Sequence, residues 1–531
     1  MSQSRPRPLM TVNAPTLFWL TMTALATTFL LTAVPRANAA NTWKAAPANA
    51  SWHDAANWSD GVIPSSSTVD VLFNGPSSQT TINCGGLNTS MRDFDFANAS
   101  CPAYTFTTTG MLSLYGDLTI GAEVATNQTF ASNVSFRLLK TGERTITNNG
   151  AGLLKIDNGI MSNVAGAVAV FDGTGQTQVK QLNLRNDTYS LDVVKKGSGT
   201  LVILDAAGGP DTYGIVYSSG TTTILGGKVL IDDEGNLGGN PGTTFDEDAL
   251  WLDGGALQAT ASFAIDDSRR GITLGSSGGA FEVNSGHTLT IDNVIRGAGS
   301  LTKTGSGTLT LTTPNLYAGA TNVSLGTLAL SGAGTIDGSS TISIGPLATL
   351  DVSATTGGEY SLASRQTLLG DGSVVGNLAV AAGADISAGS SPGKLTITGD
   401  YDQDGTMLVD LWGPIQGDSA GFDWIDVSGA ANLQGTLRLV LNNGFTPQVG
   451  DTFRVLTASA ISIDGPLEID ATAATLGPVQ AWQSAIVDLL GGGQALELTA
   501  AVPEPTAVTL LLTLLPITML ATWRRCRMNG Q

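Results

Sequence analysis

The sequence predicts an all-β ectodomain in which short strands stack as a β-solenoid. Between residues 280 and 353, brief segments alternate apolar side chains with Thr or Ser, the period-two pattern of a strand with one buried face. Gly, Asn or Asp separates most of these segments, as expected of tight turns. No comparable helical periodicity occurs between the two ends of the chain. A β-sandwich fits the strand spacing equally well.

The predicted strands of this region are brief and closely spaced. They are 281–283, 288–292, 300–304, 308–312, 321–325, 327–331, 341–344 and 348–353. The β-branched Thr, Val and Ile side chains that dominate them suit stacking between neighbouring coils.

Internal repetition favours the solenoid over the sandwich. Residues 195–204 match residues 303–312 at an offset of 108, and residues 221–231 match residues 320–330 at an offset of 99. The nine-residue difference falls in a turn, where a stacked repeat tolerates insertions because each coil contacts only its neighbours. We therefore expect 195–204 and 303–312 to occupy equivalent positions on different coils.

The Gly-Ser-Gly turn that follows Lys303 carries two further expectations. Gly305 and Gly307 are expected to need positive φ, so substitution of either by Val is expected to destabilise the coil. Replacement of Lys303 by Ala is expected to matter little.

Residues 300–332 resemble the autotransporter-associated β-strand repeat. The resemblance rests on Lys303, the Gly-Ser-Gly-Thr-Leu turn, Asn315, Tyr317 and the closing Gly326-Thr327-Leu328. A degenerate second copy covers residues 191–238. The resemblance implies a right-handed parallel β-helix. The membrane β-barrel of a self-translocating passenger is not recognisable, since the chain ends in one apolar segment.

These patterns divide the chain into five parts. A signal peptide at 1–39 precedes a Trp-containing N-terminal cap at 40–140, the solenoid at 141–393, a strand-rich closing region at 394–501 and a tail at 502–531. In the cap, Trp43, Trp52 and Trp58 are interpreted as core residues that shield the first coil. Stacking of their rings on a sugar is the alternative.

Composition limits the possible partners. The net charge of −19 would repel nucleic acid phosphates, so nucleic acid is not an expected partner. Cys84 and Cys101 are the two cysteines of the exported part and can form one disulfide in an oxidising compartment, with two free thiols as the alternative. Two such cysteines and two histidines give no zinc-site spacing, so no metal and no cofactor is expected.

The N-terminus has the pattern of an export signal. Arg5 and Arg7 precede an uncharged apolar stretch at 17–31. Ala37 and Ala39 are the small residues that signal peptidase reads, so cleavage is expected to leave Ala40 as the new N-terminus.

The C-terminal segment is a three-part sorting pattern. Val502-Pro503-Glu504-Pro505 precedes an uncharged apolar run at 506–523, which is long enough to span a bilayer as a helix. The basic residues Arg524, Arg525 and Arg527 then stop translocation. The arrangement resembles the PEP-CTERM signal of bacterial surface proteins, which implies an exosortase-like processing enzyme as a partner. A permanent membrane anchor is the alternative.

No sequence motif indicates catalysis. The Asp400–Asp404 segment opens like a calcium loop, but position twelve is Leu411 where a bidentate carboxylate is needed. The acidic clusters near residues 233, 247 and 267 fit solvated turns, and His53 and His287 are isolated. The sequence thus predicts an exported cell-surface protein with a structural or adhesive role and no catalytic residues. A carbohydrate-binding or polysaccharide-degrading β-helix, with extracellular polysaccharide as partner, is the alternative.

Overall fold

The computed structural model describes residues 40–86, 88–108, 110–182, 190–203, 220–238, 244–389, 392–417, 420–477 and 480–502. The described residues belong to one compact unit. The predicted signal peptide at 1–39 and all of the predicted sorting tail after Val502 lie outside the described residues. Within the described ranges, no helix is both long and apolar enough to cross a membrane.

The chain winds as a parallel β-solenoid in which successive coils add strands to the same sheets. Two sheets form long walls, and we call them sheet 1 and sheet 2. Sheet 1 contains Asn41–Thr42, Val71–Phe73, Phe94–Phe96, Leu118–Ile120, Gly142–Asn148, Ala167–Asp172, Leu191–Lys195, Thr222–Ile224, Asp246–Leu252, Arg270–Leu274 and Ile295–Gly297. Sheet 2 contains Thr81–Asn83, Thr105–Thr107, Gln128–Phe130, Leu154–Ile156, Gln176–Val179, Thr200–Ile203, Lys228–Ile231, Ala256–Ala259, Gly279–Val283, Leu301–Thr304, Thr321–Val323, Thr341–Ile344, Thr367–Gly370, Asp385–Ala388, Thr406–Leu411, Gly435–Leu441 and Leu467–Ala473.

Three further sheets complete the coils. Sheet 3 contains Phe263–Ile265, Thr288–Ile291, Thr308–Leu311, Gly326–Gly332, Ala348–Thr355, Ser373–Val375, Lys394–Thr398, Trp424–Val427, Thr452–Ala458, Ala481–Asp488 and Gln494–Ala501. Sheet 4 forms the third wall of the N-terminal coils and contains Thr89–Met91, Met111–Leu114, Ser135–Leu138 and Gly159–Ser162. Sheet 5 takes the place of sheet 1 in the last coils and contains Glu359–Leu362, Asn377–Val380, Tyr401–Gln403, Ala430–Leu433 and Ala460–Ser462. The described helices are two short 3-10 turns, Ala55–Asn57 and Glu234–Leu237.

Alternation along each strand explains where the core lies. On sheet 3, the fully buried residues Leu289, Leu309, Leu328 and Leu350 stack on successive coils. The residues directly before and after each leucine along its strand face outward. Each buried leucine removes apolar surface from water, and the column repeats this gain once per coil. The prediction of an all-β parallel solenoid is confirmed.

The eight strands predicted between residues 280 and 353 are all present, with bounds that differ by a few residues. Sequence reasoning missed the short strand Ile295–Gly297 of sheet 1. The sheets also run without a break across the predicted domain bounds. Gly142–Asn148 pairs with strands on both sides, and Lys394–Thr398 does the same. The cap, solenoid and closing region are therefore joined by continuous pairing.

The expectation that residues 195–204 and 303–312 occupy equivalent positions is wrong. Lys195 ends a strand of sheet 1, whereas Lys303 lies in sheet 2. The first Gly-Ser-Gly turn therefore joins sheet 1 to sheet 2, and the second joins sheet 2 to sheet 3. Each corner makes the same local demand, a tight turn between two strands, so one motif serves two corners.

The nine-residue difference between the repeat offsets has a structural origin. Lys195 pairs with Ile224 on the next coil, 29 residues later. Lys303 pairs with Val323, 20 residues later. The first coil is longer by nine residues, and the pairing on both sides of the extra length is preserved.

The C-terminal end changes the strand direction. Thr452–Ala458 pairs antiparallel with Gln494–Ala501, which pairs antiparallel with Ala481–Asp488. These two strands extend sheet 3 beyond the last parallel coil, in the region predicted to close the solenoid.

Candidate functional surfaces

The N-terminal tryptophans are core residues. Trp52 and Trp58 are fully buried and Trp43 nearly so. The rings of Trp52 and Trp58 meet edge to face with centroids 4.7 Å apart. Trp58 Nε1 donates to the carbonyl of Trp52 at 2.8 Å, and Trp52 Nε1 donates to that of Pro64 at 3.1 Å. Their faces are covered by other aromatic rings, which agrees with the capping interpretation and leaves no platform for a sugar.

Below this cap, the first coils have an aromatic interior. Phe73 packs against Trp43, Trp52 and Trp58, and the rings of Phe106 and Phe130 stack at 4.7 Å. Phe73 pairs with Phe96 on the next coil, and Phe106 pairs with Phe130 in the same way, so stacked rings continue the aromatic cluster along the first coils.

Cys84 and Cys101 lie in this region as buried free thiols. Burial raises the pKa of Cys84 to about 12 and that of Cys101 to about 11. Such thiols react slowly because the thiolate is the reactive form. A disulfide between them stays a prediction.

Lys303 is a buried residue that holds a corner together. Its Nζ donates to the carbonyl oxygens of Thr304 and Gly305, both at 2.7 Å, and of Leu325 at 3.1 Å. Lys195 does the same at its own corner, where it donates to the carbonyls of Lys196 and Gly197. Both side chains are almost completely buried. Burial lowers the pKa of each amine to about 8.

The predicted acidic turns contain a buried arginine. Arg270 is 2% exposed, and its Nε donates to Glu234 Oε1 at 3.0 Å. Its Nη atoms donate to the carbonyls of Leu237 and Gly238 at 3.3 and 2.9 Å. Burial raises the pKa of Glu234, while the arginine opposes that shift. These contacts fix the Glu234–Leu237 turn to the strand that begins at Arg270. The expectation of a solvated turn is therefore wrong for this cluster.

The Asp400–Asp404 segment connects strands of two sheets. Tyr401–Gln403 belongs to sheet 5 and Thr406–Leu411 to sheet 2, so the segment between them forms a solenoid corner. Asp400 Oδ1 accepts from the backbone N–H of Ala430 at 2.8 Å. Across the described residues, no group of three or more His, Cys, Asp or Glu side chains is placed to hold a metal.

The outer face of sheet 3 carries a regular column of hydroxyl side chains. One column runs through successive coils in register and consists of Thr288, Thr308, Thr327, Thr349, Ser373 and Thr396. Neighbouring members are about 4.8 Å apart, the spacing of paired strands. The column presents hydroxyl groups without charge, whereas a catalytic groove needs convergent charged groups.

An open cleft lies near the C-terminal end of sheet 3. Its volume is about 580 Å³, and its lining includes Trp424, Asp426, Arg454 and Gln416. Lys394 Nζ lies 4.6 Å from the Trp424 ring centroid and 2.6 Å from Asp426 Oδ2. Although burial favours the neutral acid, hydrogen bonds from Lys394 and Thr457 lower the pKa of Asp426. Sequence reasoning missed this cleft because its residues meet only across coils.

The fold and its repeat place this chain among proteins that carry autotransporter-type passenger repeats. Residues 301–330 match the passenger-associated-transport-repeat. The Adhesin BmaC autotransporter of Brucella suis biovar 1 (strain 1330) is 34% identical to this chain over 161 residues. That match covers 29% of this chain and 4% of the relative, so the chain spans only a small part of that protein's length.

Proposed function

We propose that the protein is a bacterial cell-surface protein whose solenoid acts as a structural or adhesive rod. The observation that carries this proposal is the passenger repeat at 301–330 inside an uninterrupted parallel solenoid. Similarity to an autotransporter adhesin over 161 residues supports it. The hydroxyl column on the outer face of sheet 3 fits such a role, since it presents many weak hydrogen-bonding contacts.

The adhesive role can be tested on whole cells. A strain that lacks the gene is compared with its parent and with a complemented strain. The assays measure attachment to glass, attachment to polysaccharide-coated surfaces and aggregation of cells of the same strain. Antibody labelling of intact cells reports surface exposure. We expect surface label and a loss of attachment in the deletion strain. Surface label with unchanged attachment would leave a structural coat and remove the adhesive role.

The export route is part of the proposal. We infer that signal peptidase cleaves before Ala40, and that an exosortase-like enzyme processes the chain near Val502–Pro505. The run at 506–523 then holds the chain in the inner membrane until processing, with Arg524, Arg525 and Arg527 on the cytoplasmic side. The order of apolar and basic segments in the sequence supports this route.

Mass spectrometry of the surface-localised protein separates processing from anchoring. Processing predicts a mature C-terminus near Val502–Pro505, and replacement of the three arginines by Ala should leave unprocessed chain in the cell. Recovery of an intact C-terminal Gln531 would contradict processing and leave the anchor.

The cleft beside Trp424 favours carbohydrate binding as a second candidate function. An aromatic ring beside Asp426, Arg454 and Gln416 combines an apolar surface with fixed hydrogen-bonding groups, as ligand sites commonly do. A glycan array with the parent and the Trp424→Ala variant tests this. Equal binding by both, or binding by neither, would remove the candidate.

A further inference from the structure

The strand Ala481–Asp488 is an open edge of sheet 3. One side pairs along its whole length with Gln494–Ala501. Its other side pairs with no strand in the part of the chain that the structure describes. Edge strands of natural proteins are commonly blunted by lysine, proline or a bulge, because a bare edge recruits another strand. This strand contains none of these, and its single charged residue is Asp488.

Two other edges of the solenoid carry protective features. At the N-terminal end, Trp43 bridges to Trp58 and closes sheet 1 beside the aromatic cluster. At the C-terminal end of sheet 2, the strand Leu467–Ala473 carries Glu468 and Asp470, and the latter is held by Arg438 at 3.0 Å. The Ala481–Asp488 edge differs from both because its central residues, Gln483 to Ile486, are exposed and uncharged.

The direction of the free main-chain groups follows from the turn. Leu489 N–H donates to the carbonyl of Gly493 at 2.9 Å, so Leu489 faces the neighbouring strand. In an antiparallel pair this orientation alternates. The N–H and C=O groups of Trp482, Ser484, Ile486 and Asp488 therefore point away from the sheet. They form a row of donors and acceptors that another strand can satisfy.

We propose that this edge pairs antiparallel with the same edge of a second copy of this chain. A two-fold axis through Ala485 places Ser484 opposite Ile486, and Trp482 opposite Asp488. This register joins outward groups to outward groups and gives about eight main-chain hydrogen bonds. It puts no two like charges opposite each other, which is the arrangement that would destabilise a cross-strand pair. Such a contact is isologous and therefore closes at two copies.

Trp482 makes the edge rigid enough for this role. Its Nε1 donates to the carbonyl of Ala474 at 2.9 Å, and its ring lies 5.7 Å from that of Phe453. The strand is thus fixed to the body of the solenoid before any partner arrives, which lowers the entropy lost on pairing. Two rods joined at these ends would present two adhesive surfaces and gain avidity.

The test is the protein mass of the chain from Ala40 onward, kept in mild detergent because the run at 506–523 is apolar, and measured by light scattering after size-exclusion chromatography. We expect the mass of two chains. The double variant Ser484→Lys, Ile486→Lys should have the mass of one chain, because lysine is a natural edge blocker. Leu347→Lys is the matched control, since Leu347 is an exposed apolar residue on a distant corner, and it should keep the double mass.

Hydrogen exchange on the unaltered chain provides a measurement without variants. The amides of Ser484 and Ile486 should exchange more slowly as the protein concentration rises, while those of exposed turns should not change. A single-chain mass for the parent, or a double mass for the edge variant, would overturn the proposal. So would a parent that pairs only after truncation behind Val502, because its own tail would then occupy the edge.

Discussion

At the scale of single residues, Lys303 shows that a charged side chain can stabilise the fold from a buried position. Its amine satisfies three carbonyl oxygens of a corner where water does not enter. We expect Lys303→Ala to lower the free energy of unfolding by about 1–3 kcal/mol, since buried acceptors lose their donor. Chemical denaturation measures this, with the exposed Lys140→Ala as control. Equal stability of both variants would show that water replaces the amine without cost.

The alternation of side chains along its strand indicates from the sequence alone that Lys303 is buried. Lys303 stands two residues after Leu301, so strict alternation places it on the buried face of its strand. A charged residue at a core position marks a specific internal partner, because an unpaired buried charge is too costly. The partner itself, the carbonyl of Leu325 on the next coil, cannot be read from local sequence.

The same lysines predict a pH dependence of stability. Burial lowers the pKa of Lys195 and Lys303 to about 8 from an ordinary value of 10.5. Between these values the unfolded chain binds more protons, so each lysine makes stability rise with pH across that window. The buried thiols Cys84 and Cys101 act in the opposite direction, because their pKa is raised.

A variant isolates the lysine contribution. The difference in unfolding free energy between the parent and Lys303→Met should move in favour of the parent from about pH 8 to about pH 10. Subtraction cancels the cysteines, which both proteins share. A difference that stays constant over this range would contradict the pKa assignment.

At the scale of elements, the corners depend on glycine for two separate reasons. Gly305 has φ of +72°, and a Cβ there would also meet the carbonyl of Val283. Gly307 is not among the residues of positive φ, but its Cβ would meet the carbonyl of Asn284. The expectation of positive φ is confirmed for Gly305 and wrong for Gly307. Close approach of neighbouring coils explains the second glycine.

These corners predict a graded series of alanine variants, measured by thermal unfolding. Gly286 has φ of +78° with open space around it, so Gly286→Ala should cost about 1 kcal/mol. Gly305→Ala should cost more, since a steric clash adds to the strain. Gly75→Ala, with neither constraint, should be neutral. The order Gly305, Gly286, Gly75 is the expected result, and equal effects at all three sites would contradict it.

The sequence predicts which segments form strands, but it does not predict the sheet to which each strand belongs. The strand Thr308–Leu311 is evident from alternation, whereas its place in sheet 3 depends on how many turns precede it. Coil length varies, as the spacings after Lys195 and Lys303 show. Because each corner uses the same turn chemistry, local sequence does not specify which corner it forms.

At the scale of the whole molecule, the two ends have different physical roles. The N-terminal end is closed by an aromatic cluster, and Trp43, Trp52 and Trp58 made that closure predictable. The open edge at Ala481–Asp488 was not predictable, because an edge is defined by the neighbour that a strand lacks. The cleft beside Trp424 was missed for a related reason, since Lys394, Asp426 and Arg454 come from three successive coils.

A solenoid of equivalent coils should tolerate the loss of one whole coil. Gly279 pairs with Leu301 and Ala280 pairs with Thr302, so one coil spans 22 residues here. Deletion of residues 280–301 joins Gly279 to Thr302 and leaves each remaining strand on its own wall. We expect a cooperative thermal transition and an unchanged β-type circular dichroism spectrum, because the chain loses one repeat and its two interfaces merge into one.

Deletion of residues 280–290 is the matched control. It removes half a coil, so segments that belong to sheet 3 would have to replace strands of sheet 2. The odd number of residues would also exchange inward and outward side chains in the strand at the junction, which moves the buried Ile291 toward water. This variant should lose its cooperative transition. If both deletions unfold alike, coil-to-coil stacking is not the unit of stability, and if both fold alike, the register of the sheets is not what fixes the wall to which a strand belongs.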